Sequence, residues 1–264
     1  MLGIEYPELK DLTYWHDKEI DEEIEFRDQT ISEVDMLVSF ENFCFVATQI
    51  IFGKPPTAIQ MEMIRYFEKG PELRGIMAFR NAAKTTISVF YVVWQAYREP
   101  RINIFCVSGD QGKARGMVKE SRSMYDKINF LAKFHPIHNM GNKGTMSDSA
   151  DGYNVFGAMG GKSQTFAAAA ISGNITGSRA HIIIMDDIET PNNSTTPDLR
   201  EKLMARDSEA DNLLHDEFSG SFGLTFRPFK MYLGTPHTED SIYYRRQADG
   251  YKFRIYPARF PNED

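Results

Sequence analysis

Three carboxylates close an apolar run in the second half of the chain, His181-Ile-Ile-Ile-Met-Asp186-Asp187-Ile-Glu189. An uninterrupted apolar run reads as a strand buried on both faces, the centre of a parallel sheet. Acids just past the carboxyl end of such a strand stand where open α/β sheets bind ligands. In a nucleotide-hydrolysing fold Asp186 would help hold Mg²⁺, and Asp187 or Glu189 would polarise the attacking water. The bland alternative is a strand that ends in a polar turn.

Roughly 100 residues upstream stands Ala78-Phe-Arg80-Asn81-Ala82-Ala83-Lys84-Thr85-Thr86, between a short apolar strand and a helix with Ile87, Tyr91 and Trp94 at helical spacing. This is the layout of a phosphate-binding loop, in which backbone N–H groups and a helix N-terminus cradle phosphates. The Lys84 ammonium would reach the β/γ-phosphates of ATP, and the Thr85 hydroxyl would face Mg²⁺. Against the pattern G-x-x-x-x-G-K-[ST], Ala78 and Ala83 stand where glycine is usual. Glycine serves there because it tolerates positive φ, whereas alanine in the left-handed region costs about 1–2 kcal/mol. Asn81 is the loop residue that adopts that conformation most cheaply. Arg80 is a candidate for touching a phosphate or the acid pair. The rival reading makes Ala-Ala-Lys-Thr-Thr an ordinary helix start.

Both motifs need a scaffold, and the rest of the pattern supplies one. From Thr57 onward helix and strand alternate: helix 57–69, strand 74–79, helix 84–98, strand 102–107, a helix near 111–133, strand 181–185, a helix near 197–215, strand 229–234, helix 238–248 and strand 252–257. Such alternation predicts a mostly parallel sheet flanked by helices. The Gly-, Asn- and Ser-rich stretch 135–164 reads as irregular connections, with one short strand pair of 153–156 and 165–171. Residues 31–52 follow a helical period, opened by a capping box at Ser32 and Asp35. The breaker Gly53-Lys-Pro-Pro56 suggests an edge between an N-terminal arm and lid, 1–55, and a core domain, 56–258. The segment 259–264 reads as the start of a linker.

Composition bounds the class. The chain has 264 residues, 42% hydrophobic and 25% charged, which suits a globular protein with a sizeable core. A net charge of −7 argues against a chain that coats nucleic acid by itself. It leaves room for local basic contacts, such as Lys113, Arg115, Lys119 and Arg122 along one helix. No apolar run is long enough for a membrane span, and no signal peptide is evident. Two cysteines, Cys44 and Cys106, lie in apolar contexts and read as reduced core residues. His135, His138 and Asp148 lack a diagnostic metal spacing.

The segments "PPTAIQMEMIRYF", "AFRNAAKTT", "INIFCVSG", "ITGSRAHIIIMDDIETPNNS", "REKL" and "YLGTPHTEDSIYY" resemble the ATPase domain of the large terminase subunit. This is the DNA-packaging motor of tailed phages, and the likeness is greatest to short-tailed phages. The order "TGSRAHIIIMDDIE" then "YLGTP" carries most of it, and coverage runs from about Pro55 to Ala258.

The resemblance implies a RecA-like (ASCE) P-loop fold, with ATP and Mg²⁺ as cofactors. It implies double-stranded DNA, the portal protein and the small terminase subunit as partners. It also implies a homo-oligomeric ring, usually of five subunits, on the procapsid in the host cytoplasm. Lys84 and Thr85 match the phosphate-loop pair, and Asp186 matches the Mg²⁺-associated acid. Asp187 stands where many terminases carry the catalytic Glu, with Glu189 as rival. Gly234-Thr235-Pro236 resembles the coupling motif, Gln60 the adenine-reading glutamine, and Arg179 an arginine that reaches a neighbour's γ-phosphate. Complete terminases of this type carry a nuclease domain after the motor domain, and no further acid cluster here would supply that activity. A helicase-like translocase and a nucleotide-binding scaffold without turnover are the alternatives.

Overall fold

The computed structural model describes residues 31–136, 148–173, 175, 177, 179–221 and 224–257. Residues 1–30 of the expected arm and lid, the linker over 259–264 and His138 lie outside the described residues.

Ten strands and eight α-helices are assigned among the described residues. In chain order the helices are α1 (Glu33–Val38), α2 (Phe40–Phe52), α3 (Ala58–Lys69), α4 (Lys84–Arg98), α5 (Gln111–Lys127), α6 (Pro191–Ser194), α7 (Pro197–Asp211) and α8 (Ile242–Ala248). The strands are β1 (Arg74–Ala78), β2 (Ile104–Ser108), β3 (Asp148–Ser149), β4 (Gly152–Tyr153), β5 (Phe166–Ala170), β6 (Ile182–Asp186), β7 (Phe218–Ser219), β8 (Thr225–Phe226), β9 (Phe229–Gly234) and β10 (Lys252–Tyr256). Eight strands form one sheet in the order β10-β1-β9-β6-β2-β5-β4-β3. The pairs from β10 across to β5 are parallel, and β4 and β3 extend that edge antiparallel. This is the expected α/β architecture, a mostly parallel sheet flanked by helices.

The central strands β1, β2 and β6 are buried at every residue, Arg74 at the start of β1 and Asp186 at the end of β6 included. One core layer packs α2, α3, α4 and α5 on one face of the sheet, around Trp94, Phe40, Phe67 and Tyr91. The other face packs against α7 and α8 through Leu203, Tyr232, Ile242 and Tyr243.

Some boundaries differ from the sequence reading. Residues 31–52 form two helices, because Ser39 ends α1 and caps α2. Their apolar residues Met36, Phe40, Phe43 and Ala47 join the main core, and Trp94 Nε1 donates to the Met36 carbonyl at 2.9 Å. The expected edge at Gly53–Pro56 is therefore a turn within one packed body: Gly53 ends α2 at φ 70°. The helix near 111–133 stops at Lys127 and continues as a 3₁₀ segment, Asn129–Phe134. The strand pair around 153 and 165 is β4 with β5, and β5 continues the main sheet beside β2.

Candidate nucleotide site

The parallel register brings the carboxyl ends of four strands to one edge. Met77 of β1 pairs with Gly234 of β9, Leu233 pairs with Asp186 of β6, and Asp186 pairs with Ser108 of β2. The loops that follow these four strands line a cleft of 680 Å³. Arg80, Asn81, Ala82, Ala83, Lys84, Thr85 and Thr86 form one wall, and Asp187, Glu189 and Thr235 stand opposite. Because β9 lies between β1 and β6, Thr235 falls between the loop lysine and the acids.

The loop after β1 takes the left-handed conformation twice, at Asn81 (φ 68°) and Ala83 (φ 67°). Asn81 adopts it at little cost, but Ala83 holds a conformation that strains an L side chain. Ala78 needs no such freedom, since it is the last residue of β1. Ala83 is also the N-cap of α4 and supplies no side-chain cap. The first amides of a 15-residue helix therefore have no side-chain acceptor there. That end of the helix dipole favours an anion.

Lys84 is buried, and its Nζ donates to the carbonyls of Ala78 (2.7 Å) and Phe79 (3.2 Å) and to Thr235 Oγ1 (3.3 Å). Burial pulls its pKa below the ordinary lysine value, while Asp187 and Asp186 oppose that shift. Thr85 Oγ1 donates to Asp186 Oδ2 at 2.7 Å. Asp186 is 2% exposed, and its Oδ1 has no hydrogen-bond partner. Burial, and then the neighbouring Asp187 charge, push its pKa up to about 7. A buried carboxylate oxygen without a donor beside a threonine hydroxyl fits a hard cation. Among the described residues no group of three or more His, Cys, Asp or Glu could hold a metal ion. A Mg²⁺ here would thus draw most of its ligands from phosphate and water.

Asp187 and Glu189 occupy different environments. Asp187 lines the cleft with φ 46°, held by its backbone N–H on the Leu233 carbonyl at 2.8 Å. Gly109 permits that turn, since a Cβ there would sit 2.6 Å from the Asp187 carbonyl oxygen. Glu189 is 2% exposed and both its oxygens are taken. Oε1 accepts from His237 N (2.9 Å), and Oε2 accepts from Ser241 Oγ (2.7 Å) and Ile242 N (2.9 Å). Glu189 thereby ties the turn after β6 to the N-terminus of α8. It is poorly placed to hold a water, which weighs against the rival reading of this residue.

Gly234 and Thr235 are held tightly. A Cβ on Gly234 would meet the Tyr243 ring at 2.0 Å, and Thr235 Oγ1 donates to the Ala78 carbonyl at 2.9 Å. Pro236 follows Thr235 toward His237, which lines the cleft. Gln60 lies on α3 beside a smaller cavity of 190 Å³ that shares Ala83 and Thr86 with the main cleft and adds Phe52, Pro56, Ile64 and Phe90. Its Oε1 caps its own helix by accepting from Thr57 N at 2.9 Å. Arg179 lies apart from these residues. It precedes β6 and donates Nη1 to the Leu214 carbonyl at 3.4 Å, at the amino end of the strand that carries Asp186 at its carboxyl end.

Lys113 and His237, like Thr190 and Pro191 after β6, line the cleft without having been picked out as site residues. Lys113, in the first turn of α5, reaches the cleft because α5 starts just past the carboxyl end of β2. His237 follows the Gly-Thr-Pro segment directly. Position after a strand end was the signal for both. The basic stripe on α5 is partly neutralised: Arg115 pairs with Asp151 (2.7 Å) and Arg122 with Asp148 (2.5 Å).

No family model matches the chain. It is 32% identical over 224 residues to the large terminase subunit of Enterobacteria phage T3, a match that covers 84% of this chain and 36% of the relative. The chain belongs to the large-terminase family. It spans about a third of that terminase's length. Among solved structures, an arginine-to-alanine mutant of the large terminase ATPase domain of Thermus phage P74-26 aligns with a TM-score of 0.44 at 13% identity, covering 80% of this chain and 84% of that one. The HK97 bacteriophage large terminase aligns with a TM-score of 0.44 at 12% identity, over 87% and 44%. Terminase membership agrees with the resemblance drawn from the motifs. Among the described residues no helix is long and apolar enough to cross a membrane.

Proposed function

We propose that the chain is the ATP-hydrolysing motor domain of a large terminase, driving double-stranded DNA into a procapsid. The observation that carries this reading is the convergence of Lys84, Thr85, Asp186 and Asp187 on one cleft at the α4 N-terminus.

In this reading the amides after Ala83 receive the phosphates, and Lys84 exchanges its carbonyl partners for the β/γ-phosphate oxygens. Thr85 and Asp186 hold Mg²⁺, which supplies charge neutralisation on the phosphates when bound. Asp187 orients water for in-line attack, and its uncommitted place in the cleft favours it over Glu189. Adenine fits the apolar slot between Phe52, Pro56, Ile64 and Phe90, with the Gln60 amide at its edge. Thr235 shares the Ala78 carbonyl with Lys84, so a lysine drawn toward phosphate changes the contacts of the Gly234-Thr235-Pro236 segment. Arg179 is remote from its own cleft, which supports action on a neighbouring subunit of a ring. The portal protein, the small terminase subunit and a ring of five copies in the host cytoplasm complete the proposal.

The test is ATP turnover with Lys84→Ala and Asp187→Asn as controls. Loss of turnover in both, with folding intact, supports the reading. Tight ATP binding without turnover, even on DNA-loaded procapsids, would favour the scaffold reading.

A further inference from the structure

A second cavity, of 370 Å³, opens at the opposite edge of the sheet. Asn103, just ahead of β2, and His181, just ahead of β6, form its floor. Five strand residues at roughly 3.3 Å each put His181 about 16 Å from Asp186. The cavity is therefore separate from the nucleotide cleft.

His181 is 7% exposed and stacks on His215 at 4.5 Å, with Phe218 at 4.4 Å. Its Nδ1 accepts from the Asn103 backbone N–H at 3.0 Å, which assigns the ring proton to Nε2. That Nε2–H has no acceptor among the described residues, and His181 lines the cavity. A donor without a protein partner, in a ring that lines the cavity, is open to an acceptor placed there.

The remaining lining carries two basic side chains, Lys162 and Arg101, among neutral residues. Lys162 stands exposed at the rim, with no ion pair among the described residues. Arg101 reaches the cavity while held on Glu99 at 2.7 Å. No carboxylate lines the cavity among the described residues. The loop that carries Lys162 bends through Gly157, Gly160 and Gly161, all at positive φ (92°, 73° and 118°). Glycines there let backbone come close to a ligand.

We propose that this cavity is a second anion site that takes a phosphate group, received by the His181 Nε2–H and by the Lys162 ammonium. Cation plus fixed donor suits an acceptor-only oxyanion. The phosphate arrives on a nucleic-acid strand or as a free anion, and the two sources are separable. Burial and then His215 depress the His181 pKa to about 4, so its ring is a neutral donor near pH 7.

The test uses the full chain with ¹⁵N-labelled histidine. Inorganic phosphate and a short DNA duplex are added separately at constant ionic strength while the His181 and His215 ring signals are followed. The expected result is a saturable shift of both, weakened at least tenfold in Lys162→Glu and retained in Lys162→Arg. A shift with duplex alone assigns the site to a strand, and a shift with phosphate as well assigns it to the free anion; both support the site. The same shift in Lys84→Ala separates this site from the nucleotide cleft. No shift with either probe, or an equal shift in Lys162→Glu, overturns the proposal.

Discussion

Lys84 Nζ and Thr235 Oγ1 meet at 3.3 Å, and both donate to the Ala78 carbonyl, at 2.7 and 2.9 Å. One oxygen at the end of β1 thus joins the loop lysine to the segment after β9. Thr235→Val keeps the shape and removes the hydroxyl. We expect it to leave ATP affinity within a few-fold while lowering the DNA moved per ATP hydrolysed. Equal loss of binding and turnover would place Thr235 in the phosphate site instead.

Asp187 and Glu189 are separated by opposite outcomes. Asp187→Asn should cut turnover by at least two orders of magnitude, a size typical of a lost water-orienting group, with little change in Tm. Glu189→Ala should lower stability by about 2–3 kcal/mol, because the amides of His237 and Ile242 and the Ser241 hydroxyl lose their acceptor. Thermal melts beside turnover read both effects. A Glu189→Ala chain with wild-type Tm and no turnover would reverse the assignment.

Asp186 makes stability depend on pH in a defined direction. Its pKa rises from 3.8 to about 7 on folding, so the folded chain keeps a proton that the unfolded chain releases. Its contribution to stability therefore falls as pH rises from about 4 to about 7, and is flat on either side. Without Mg²⁺ or nucleotide, Asp186→Asn should melt higher than wild type at pH 8 and lose that advantage toward pH 4. Melts across that range check it, and a constant difference would contradict it.

Ala83 at φ 67° carries backbone strain. Ala83→Gly should raise stability by up to ~1 kcal/mol, the relief of strain less the added freedom of the unfolded chain. Ala83→Val should lower both stability and nucleotide affinity, since a β-branched residue resists positive φ. Melts and ATP titrations of the pair decide it.

Arg179 lies at the amino end of β6, away from its own acids. Arg179→Ala and Lys84→Ala chains should each be inactive, yet mixing them should restore part of the turnover, since some interfaces then combine an intact arginine with an intact cleft. A mixture as inactive as its components would rule out action in trans.

The sheet was legible because β2 and β6 are short, mostly apolar runs bounded by turn residues and alternating with helical periods. Helix α4 was read at its observed limits, Lys84–Arg98, since loop and helix period meet there. The Gly53-Lys-Pro-Pro56 breaker looks alike between domains and within one, and the burial of Phe40 and Met36 beside Trp94 is long-range packing that no local spacing reveals. Glu189 was ambiguous because its donors come from residues 48 to 53 positions later, a contact no local spacing reveals. The strain at Ala83 followed from a motif glycine replaced by alanine, while Lys113 and His237 depended on which loops share a strand edge.

The most direct test is ATP turnover measured against protein concentration, for wild type and Lys84→Ala, with DNA-loaded procapsids present. Turnover should vanish in Lys84→Ala and rise more than linearly with wild-type concentration as subunits complete one another's sites. Turnover that survives Lys84→Ala, or ATP bound at the cleft with no hydrolysis under these conditions, would contradict it.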